Sequence, residues 1–135
     1  MNFFRLLILV IAISAASAHA AQTSENLYER FDDLRVVIVI NIEDIDSNPA
    51  WNPGSDPLPL SVDGAIQKIQ DFIKPPNTLG AIEKIEIRTI KNHPGHWHYL
   101  FKVIADSTHS SGFEMYAVLM NGKVIPAFIE PDAIK

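Results

Sequence analysis

Apolar side chains alternate along LRVVIVINI (34–42), and this β-branched pattern predicts a strand. Five apolar side chains share one face, while Val37 and Val39 make the second face largely apolar as well. Because a strand with two apolar faces is normally buried on both, we expect this one to be covered on both sides. Residues 21–33, which precede it, are interpreted as a polar lead-in.

A 3.6-residue period follows in SVDGAIQKIQDFI (61–73), which predicts an amphipathic helix. Ser61 is a suitable N-cap, Asp63 suits the positive end of the helix, and Pro75-Pro76 stops it. Residues 43–59, between the strand and this helix, hold four prolines and several Asp and Asn residues, so they are predicted to form a loop.

Four β-type segments follow at about 82–91, 97–105, 113–120 and 123–129, and Asn121-Gly122 predicts a two-residue hairpin between the last two. The element order therefore predicts an α+β fold, with one helix packed on a four- to five-stranded antiparallel sheet. Residues 34–135 are expected to form a single domain.

The hairpins suggest a register. Pairing Lys91 with Trp97 places Glu86 opposite Lys102, an opposite-charge cross-strand pair. Pairing Val103 with Met115 then continues the sheet, and the Asn-Gly turn sets Leu119 opposite Val124. Since proline cannot donate to a strand ladder, the strand that contains Pro126 should lie at an edge or be irregular.

In this register the helix covers one face of the sheet, and the opposite face is less polar than a solvated face should be. Such an exposed apolar patch often marks a partner site. The candidate partner face comprises Arg88, Leu100, Tyr116, Val118 and Ile125. The alternative is that the N-terminal third of the chain, including residues 34–59, covers this face.

The first twenty residues have the composition of a secretory signal peptide: a basic start, the apolar run 6–13, and Ala18-His19-Ala20 as a small-x-small cleavage site. Without them the chain has ten Lys and Arg against sixteen Asp and Glu, a net charge of about −6. That charge argues against nucleic-acid binding. The chain has no cysteine, so its core must be stable without disulfides. We expect export to a bacterial periplasm or the exterior, with no membrane anchor after cleavage.

Three stretches carry a family resemblance. LSVDGAIQKIQ resembles the helix that opens PepSY and PepSY-like domains, HWHYLFKVIAD is similar to their aromatic-rich middle strand, and YAVLMNGKVI resembles their closing hairpin. The resemblance covers about residues 58–130. It implies an exported, non-catalytic α+β module that inhibits or regulates a peptidase or takes part in envelope assembly, and it supplies no catalytic residues.

The stretch NHPGHWHYLF (92–101) holds three of the five histidines. On a strand, His96 and His98 would lie about 6.6 Å apart on one face. His93 would lie across the turn and Met120 opposite His98, which gives imidazoles suited to zinc and a soft ligand for copper. A hairpin that merely carries histidines is the competing interpretation, because no cysteine or ordered acidic ligand completes a tetrahedral site.

Two further motifs carry less weight. Asp44, Asp46 and Asn48 are spaced like the start of a calcium loop, but Pro49 stands where its glycine belongs, so turn-forming side chains are the ordinary interpretation. DSTHSSG (106–112) offers Ser107, Ser110 and Ser111 beside His109 and Asp106, but adjacency along the chain is not triad geometry. We therefore expect no enzymatic activity and no organic cofactor.

These observations favour a non-catalytic, PepSY-like binding module with a protein partner. Two alternatives stay open: a zinc or copper binder through the histidine cluster, and a structural component of an envelope assembly. Homo-oligomerisation is compatible with each of them.

Overall fold

The computed structural model describes residues 21–31, 33–105 and 111–131. The predicted signal peptide (1–20) and most of the loop at 106–112 lie outside the described residues. No helix in the described ranges is both long enough and apolar enough to cross a membrane.

The described chain forms seven strands and two helices: β1 (Ser24–Phe31), β2 (Leu34–Asn41), α1 (Ile42–Ser47), α2 (Val62–Phe72), β3 (Ile82–Ile90), β4 (His93–Ile104), β5 (Phe113–Leu119), β6 (Val124–Pro126) and β7 (Phe128–Pro131). The strands form two antiparallel sheets. The first has the order β1-β2-β7 and the second the order β3-β4-β5-β6.

The predicted fold class, one helix on a single antiparallel sheet, is wrong. The protein is mostly β and contains two sheets, because the supposed lead-in supplies β1 and the last predicted segment divides between β6 and β7. The interpretation of 43–59 as loop alone also missed α1, a helix of six residues that buries Ile45.

The chain passes from the four-stranded sheet to the three-stranded sheet within the last segment that the sequence predicts as a strand. Pro126 ends β6, which is an edge strand of the four-stranded sheet, and β7 joins β2 of the other sheet after Ala127. The expectation that the strand with Pro126 lies at an edge is confirmed, because proline has no N–H to donate to a further neighbour.

Two apolar layers share the four-stranded sheet. The layer between the sheets contains Val36, Ile38, Ile40, Ile45, Ile90, Leu100, Phe113, Met115, Ala117 and Leu119. The layer beneath α2 contains Ala65, Ile69, Tyr99, Phe101, Val103, Tyr116, Val118 and Met120. The four-stranded sheet is therefore covered on one face by α2 and on the other by β2 and its neighbours.

The predicted helix is confirmed almost residue for residue. Ser61 is its N-cap, with Oγ accepting a hydrogen bond from the Gly64 N–H at 3.0 Å. Ala65 and Ile69 are buried on its inner face.

The predicted pairing of β3 with β4 is two residues out. Thr89, not Lys91, pairs with Trp97, because Ile90 already pairs with His93 and a bulge follows. Glu86 therefore lies opposite Leu100, and Lys102 forms its ion pair with Glu83 at 3.2 Å. A shift of two residues leaves each side chain on its predicted face.

The predicted pairing of β4 with β5 is one residue out, and this shift reverses the faces of β5. Met115 pairs with Lys102 instead of Val103, so Met115, Ala117 and Leu119 face the other sheet. Tyr116, Val118 and Met120 lie beneath α2.

The closing hairpin is also one residue longer than predicted. The Leu119 N–H bonds to the Lys123 carbonyl, and Gly122, at φ +90°, occupies the left-handed position of a three-residue turn. Val124 consequently pairs with Val118 instead of Leu119.

Candidate functional site

The structure separates the predicted histidine cluster. His93 lies near the start of β4, with Nε2 3.2 Å from Glu25 Oε1 on β1. His98 is 1% exposed and faces Leu119 in the β4–β5 pairing. Met120, the proposed soft ligand, packs beneath α2. In the described ranges no three His, Asp or Glu side chains converge as a metal site would require.

The chemistry of His98 is that of a neutral core imidazole. Its Nδ1 lies 3.0 Å from the Tyr99 carbonyl oxygen, which can only accept, so Nδ1 carries the proton. Burial lowers the pKa of His98 below its ordinary value; the bond to Tyr99 opposes this shift, and the positive charge of Arg88 adds to it. His96 differs, since its buried Nδ1 has no hydrogen-bond partner within the described part of the chain.

The candidate partner face is not one surface. Leu100 is 4% exposed and lies between the sheets, with Ile125 partly buried against the same layer. Val118 and Tyr116 are buried beneath α2 on the opposite face. The alternative, in which the N-terminal third covers the outer face, is the arrangement observed, because Val36, Ile38 and Ile40 of β2 and Ile45 of α1 pack there.

Arg88, the charged member of the candidate partner face, links the two sheets through ion pairs. Its guanidinium forms ion pairs with Glu29 of β1 and with Glu86 of its own strand. Together with the His93–Glu25 contact, the pair with Glu29 holds β1 against the four-stranded sheet. A cleft of about 290 Å³ opens between these strands, and Leu27, Ile38, His98 and Leu100 are among the residues that line it.

The residues considered for calcium binding or catalysis have structural partners or lie outside the described range. Asp44 pairs with Lys123 at 2.6 Å, and the buried Asn48 amide bonds to Trp97 of β4 and to Asn121 of the β5–β6 turn. Ser111 Oγ donates to the Phe113 carbonyl at 2.6 Å. Asp106, Ser107, His109 and Ser110 lie outside the described residues.

A row of apolar side chains, exposed at both ends and half-buried in the middle, crosses the three-stranded sheet on the face that points away from the core. Tyr28 of β1 pairs with Val37 of β2, and Val37 pairs with Phe128 of β7. Tyr28 is 61% exposed and Phe128 is 64% exposed, the two highest values among the large apolar side chains of the described ranges. We call these three residues the aromatic row.

The flanks of the aromatic row are polar on one side and mixed on the other. Arg35 pairs across the sheet with Glu130, and their side chains form an ion pair at 2.7 Å. On the other side Asn26 pairs with Val39, which is 37% exposed. Isolated exposed apolar residues are common, but a row across three strands is not, which makes the aromatic row the candidate binding surface of the described residues.

Sequence reasoning missed the aromatic row for identifiable reasons. The apolar second face of residues 34–42 was a usable signal, because Val37 and Val39 belong to it. That pattern predicts burial on both faces, however, and the composition of residues 21–33, which include Tyr28, predicts a polar lead-in and no strand. Val37 lies 9 residues along the chain from Tyr28 and 91 from Phe128, and no local pattern reveals that it pairs with both.

Comparison with known proteins adds no relative to this picture. A scan against protein-family models, a search of curated proteins and a search of solved structures each found no match.

Proposed function

We propose that the chain is an exported, non-catalytic protein-binding module that binds through the aromatic row. The exposure of Tyr28 and Phe128 on either side of Val37 is the observation that carries this proposal. Aromatic side chains are enriched at binding surfaces, because they bury a large area with few rotatable bonds.

The remainder of the described molecule supports the same assignment. α2 packs on one face of the four-stranded sheet and β2 with its neighbours on the other, whereas Tyr28 and Phe128 on the outer face of the three-stranded sheet are the most exposed large apolar side chains of the described ranges. The signal-peptide pattern of residues 1–20 supports export. The PepSY-like stretches correspond to α2 and β4 to β6, and they support the non-catalytic class without identifying a target.

Site-specific photo-cross-linking in the producing cells tests this function. A benzophenone amino acid replaces Tyr28 or Phe128 in turn, and each variant is expected to cross-link to the same protein species. Ile85 of β3 is the matched control, because it is also apolar and exposed but lies on the other sheet. Absence of a cross-link from positions 28 and 128, or an identical pattern from position 85, would overturn the proposal.

A further inference from the structure

The cleft of about 290 Å³ lies between an edge strand of each sheet. One wall is β1 of the three-stranded sheet, and the other contains Arg88 and Thr89 of β3 and the adjoining Lys91. The ion pair of Arg88 with Glu29 joins the two edges, and the cleft stays open beside it. It is therefore an entrance from the surface to the layer between the sheets.

The inner end of the cleft is apolar except for one imidazole. Ile38 is 1% exposed and Leu100 is 4% exposed, and Leu27 packs against the same apolar layer. His98 lines the cleft beside them and is 1% exposed. Most buried side-chain polar atoms in proteins have a hydrogen-bond partner, so both ring nitrogens of a histidine at this depth are expected to have one.

The described residues supply a partner to only one ring nitrogen of His98. Nδ1 donates to the Tyr99 carbonyl at 3.0 Å, so the proton of the neutral ring is on Nδ1 and Nε2 is an acceptor. No hydrogen bond reaches Nε2 from the described part of the chain. His96 Nδ1 is the fully enclosed side-chain atom without a partner in these ranges, so Nε2 of His98 is instead open to the cleft.

A water molecule bound to Nε2 would be poorly held at this depth. A buried water normally makes about three hydrogen bonds. The buried side chains that share the inner end with His98 are those of Ile38 and Leu100, which can make none. A molecule with one donor on an apolar body suits the site better, because the donor satisfies Nε2 while the body contacts the aliphatic side chains.

The charges at the mouth of the cleft favour an uncharged molecule. Arg88 already forms ion pairs with Glu29 and Glu86, so its charge is compensated within the chain. Lys91 is exposed, and an ion pair in solvent contributes little to binding. An ionised ligand would therefore lose its hydration at the mouth without gaining a strong ionic contact.

We propose that the cleft binds a small uncharged molecule that has one O–H or N–H donor on an apolar body the size of a single ring, as in a phenol, and that His98 Nε2 accepts from this donor. The volume is near the lower limit for small-molecule sites, which suits one ring. The site goes beyond the proposed function: it lies on the inner side of β1, whereas the aromatic row lies on the outer face, and neither proposal depends on the other.

Titration of the purified protein with p-cresol and anisole tests the role of the donor. The two molecules are isomers, but p-cresol has a phenolic O–H and anisole has only an ether oxygen. We expect p-cresol to bind about three- to tenfold more tightly, the difference typical of one neutral hydrogen bond. In the histidine side-chain ¹⁵N spectrum, the signal of His98 Nε2 should move with p-cresol and much less with anisole.

Two variants separate the effect of the imidazole from that of the mouth. His98→Leu removes the acceptor and keeps an apolar side chain, so it should weaken p-cresol binding about three- to tenfold and leave anisole binding unchanged. Lys91→Gln is the matched control, because it removes the exposed charge at the mouth but not the acceptor, and it should bind both molecules as the wild type does. Circular dichroism checks that both variants are folded.

Equal affinity of the wild type for the two isomers would overturn the proposal, as would a p-cresol affinity that folded His98→Leu retains in full. A Nε2 signal that does not respond to millimolar p-cresol would also overturn it and would leave solvent as the partner of this nitrogen. If His98→Leu does not fold, the comparison of the two isomers on the wild type decides the question. Each of these outcomes leaves the cross-linking test of the aromatic row unaffected.

Discussion

At the residue scale, the buried His98 links the stability of the fold to pH. Burial lowers its folded pKa below the ordinary value of 6.5, so the unfolded chain binds a proton more readily than the folded one. The contribution of the neutral His98 to the free energy of unfolding should be complete above about pH 6.5. It should decrease as the pH falls below that value toward the folded pKa. One proton sets an upper limit of about 1.4 kcal/mol per pH unit for this contribution.

Replacement of the imidazole tests whether His98 is the source of this pH dependence. His98→Leu removes the buried imidazole, so its free energy of unfolding should depend less on pH than that of the wild type between about pH 5 and 6.5. Urea unfolding at a series of pH values measures the difference. An unchanged slope in His98→Leu would assign the acid sensitivity to other groups.

Asn48 is a second residue whose importance depends on burial. It is 3% exposed; its Nδ2 donates to the Trp97 carbonyl at 3.1 Å, and its Oδ1 accepts from the Asn121 N–H at 3.1 Å. Asn48→Ala removes both of these hydrogen bonds at a buried position, so it should lower the free energy of unfolding by about 1–3 kcal/mol. Asn52→Ala, at an exposed position of the neighbouring loop, should change it by less than about 0.5 kcal/mol in urea unfolding.

At the element scale, α2 begins at a side-chain cap that can be removed without touching the core. Ser61→Ala deletes the acceptor for the Gly64 N–H and should destabilise the protein by about 1 kcal/mol. Ser61→Asp keeps an acceptor at the same position and should retain most of the stability. Thermal unfolding of the two variants compares them, and equal losses in both would contradict a capping role.

The β5 strand shows why element positions were predicted better than element pairings. Both of its faces are apolar and six of its seven residues are buried, so alternation cannot indicate which face meets the helix. A shift of one residue reverses both faces at once. The β3–β4 error of two residues had no such effect, because it preserved the direction of every side chain.

At the scale of the whole molecule, the second sheet makes Leu100 a core residue. Leu100→Ala should lower the free energy of unfolding by about 2–5 kcal/mol, since it opens a cavity between the two sheets. Val39→Ala is the control, because it removes apolar atoms from the exposed face of β2. Urea unfolding of both variants measures the contrast, and similar small losses would contradict the packing of one sheet on the other.

The local pattern of the sequence determined the helix at 61–73, its Ser61 cap, the approximate positions of the strands from 34 onward and the edge position of Pro126. Each of these depends on neighbours within a few residues, where side-chain period and backbone chemistry act directly. The positions of the histidines in a hairpin follow from the same local pattern. Which side chains surround each of them does not.

Only the tertiary structure decided that β1 and β7 join β2 in a separate sheet. It thereby buried His98 and Leu100 and brought Tyr28 and Phe128 together on either side of Val37. These outcomes depend on contacts between residues far apart along the chain, such as the Arg35–Glu130 pair, 95 positions apart. Strand alternation is the same whichever partner a strand selects, so the choice is made by packing across the whole molecule.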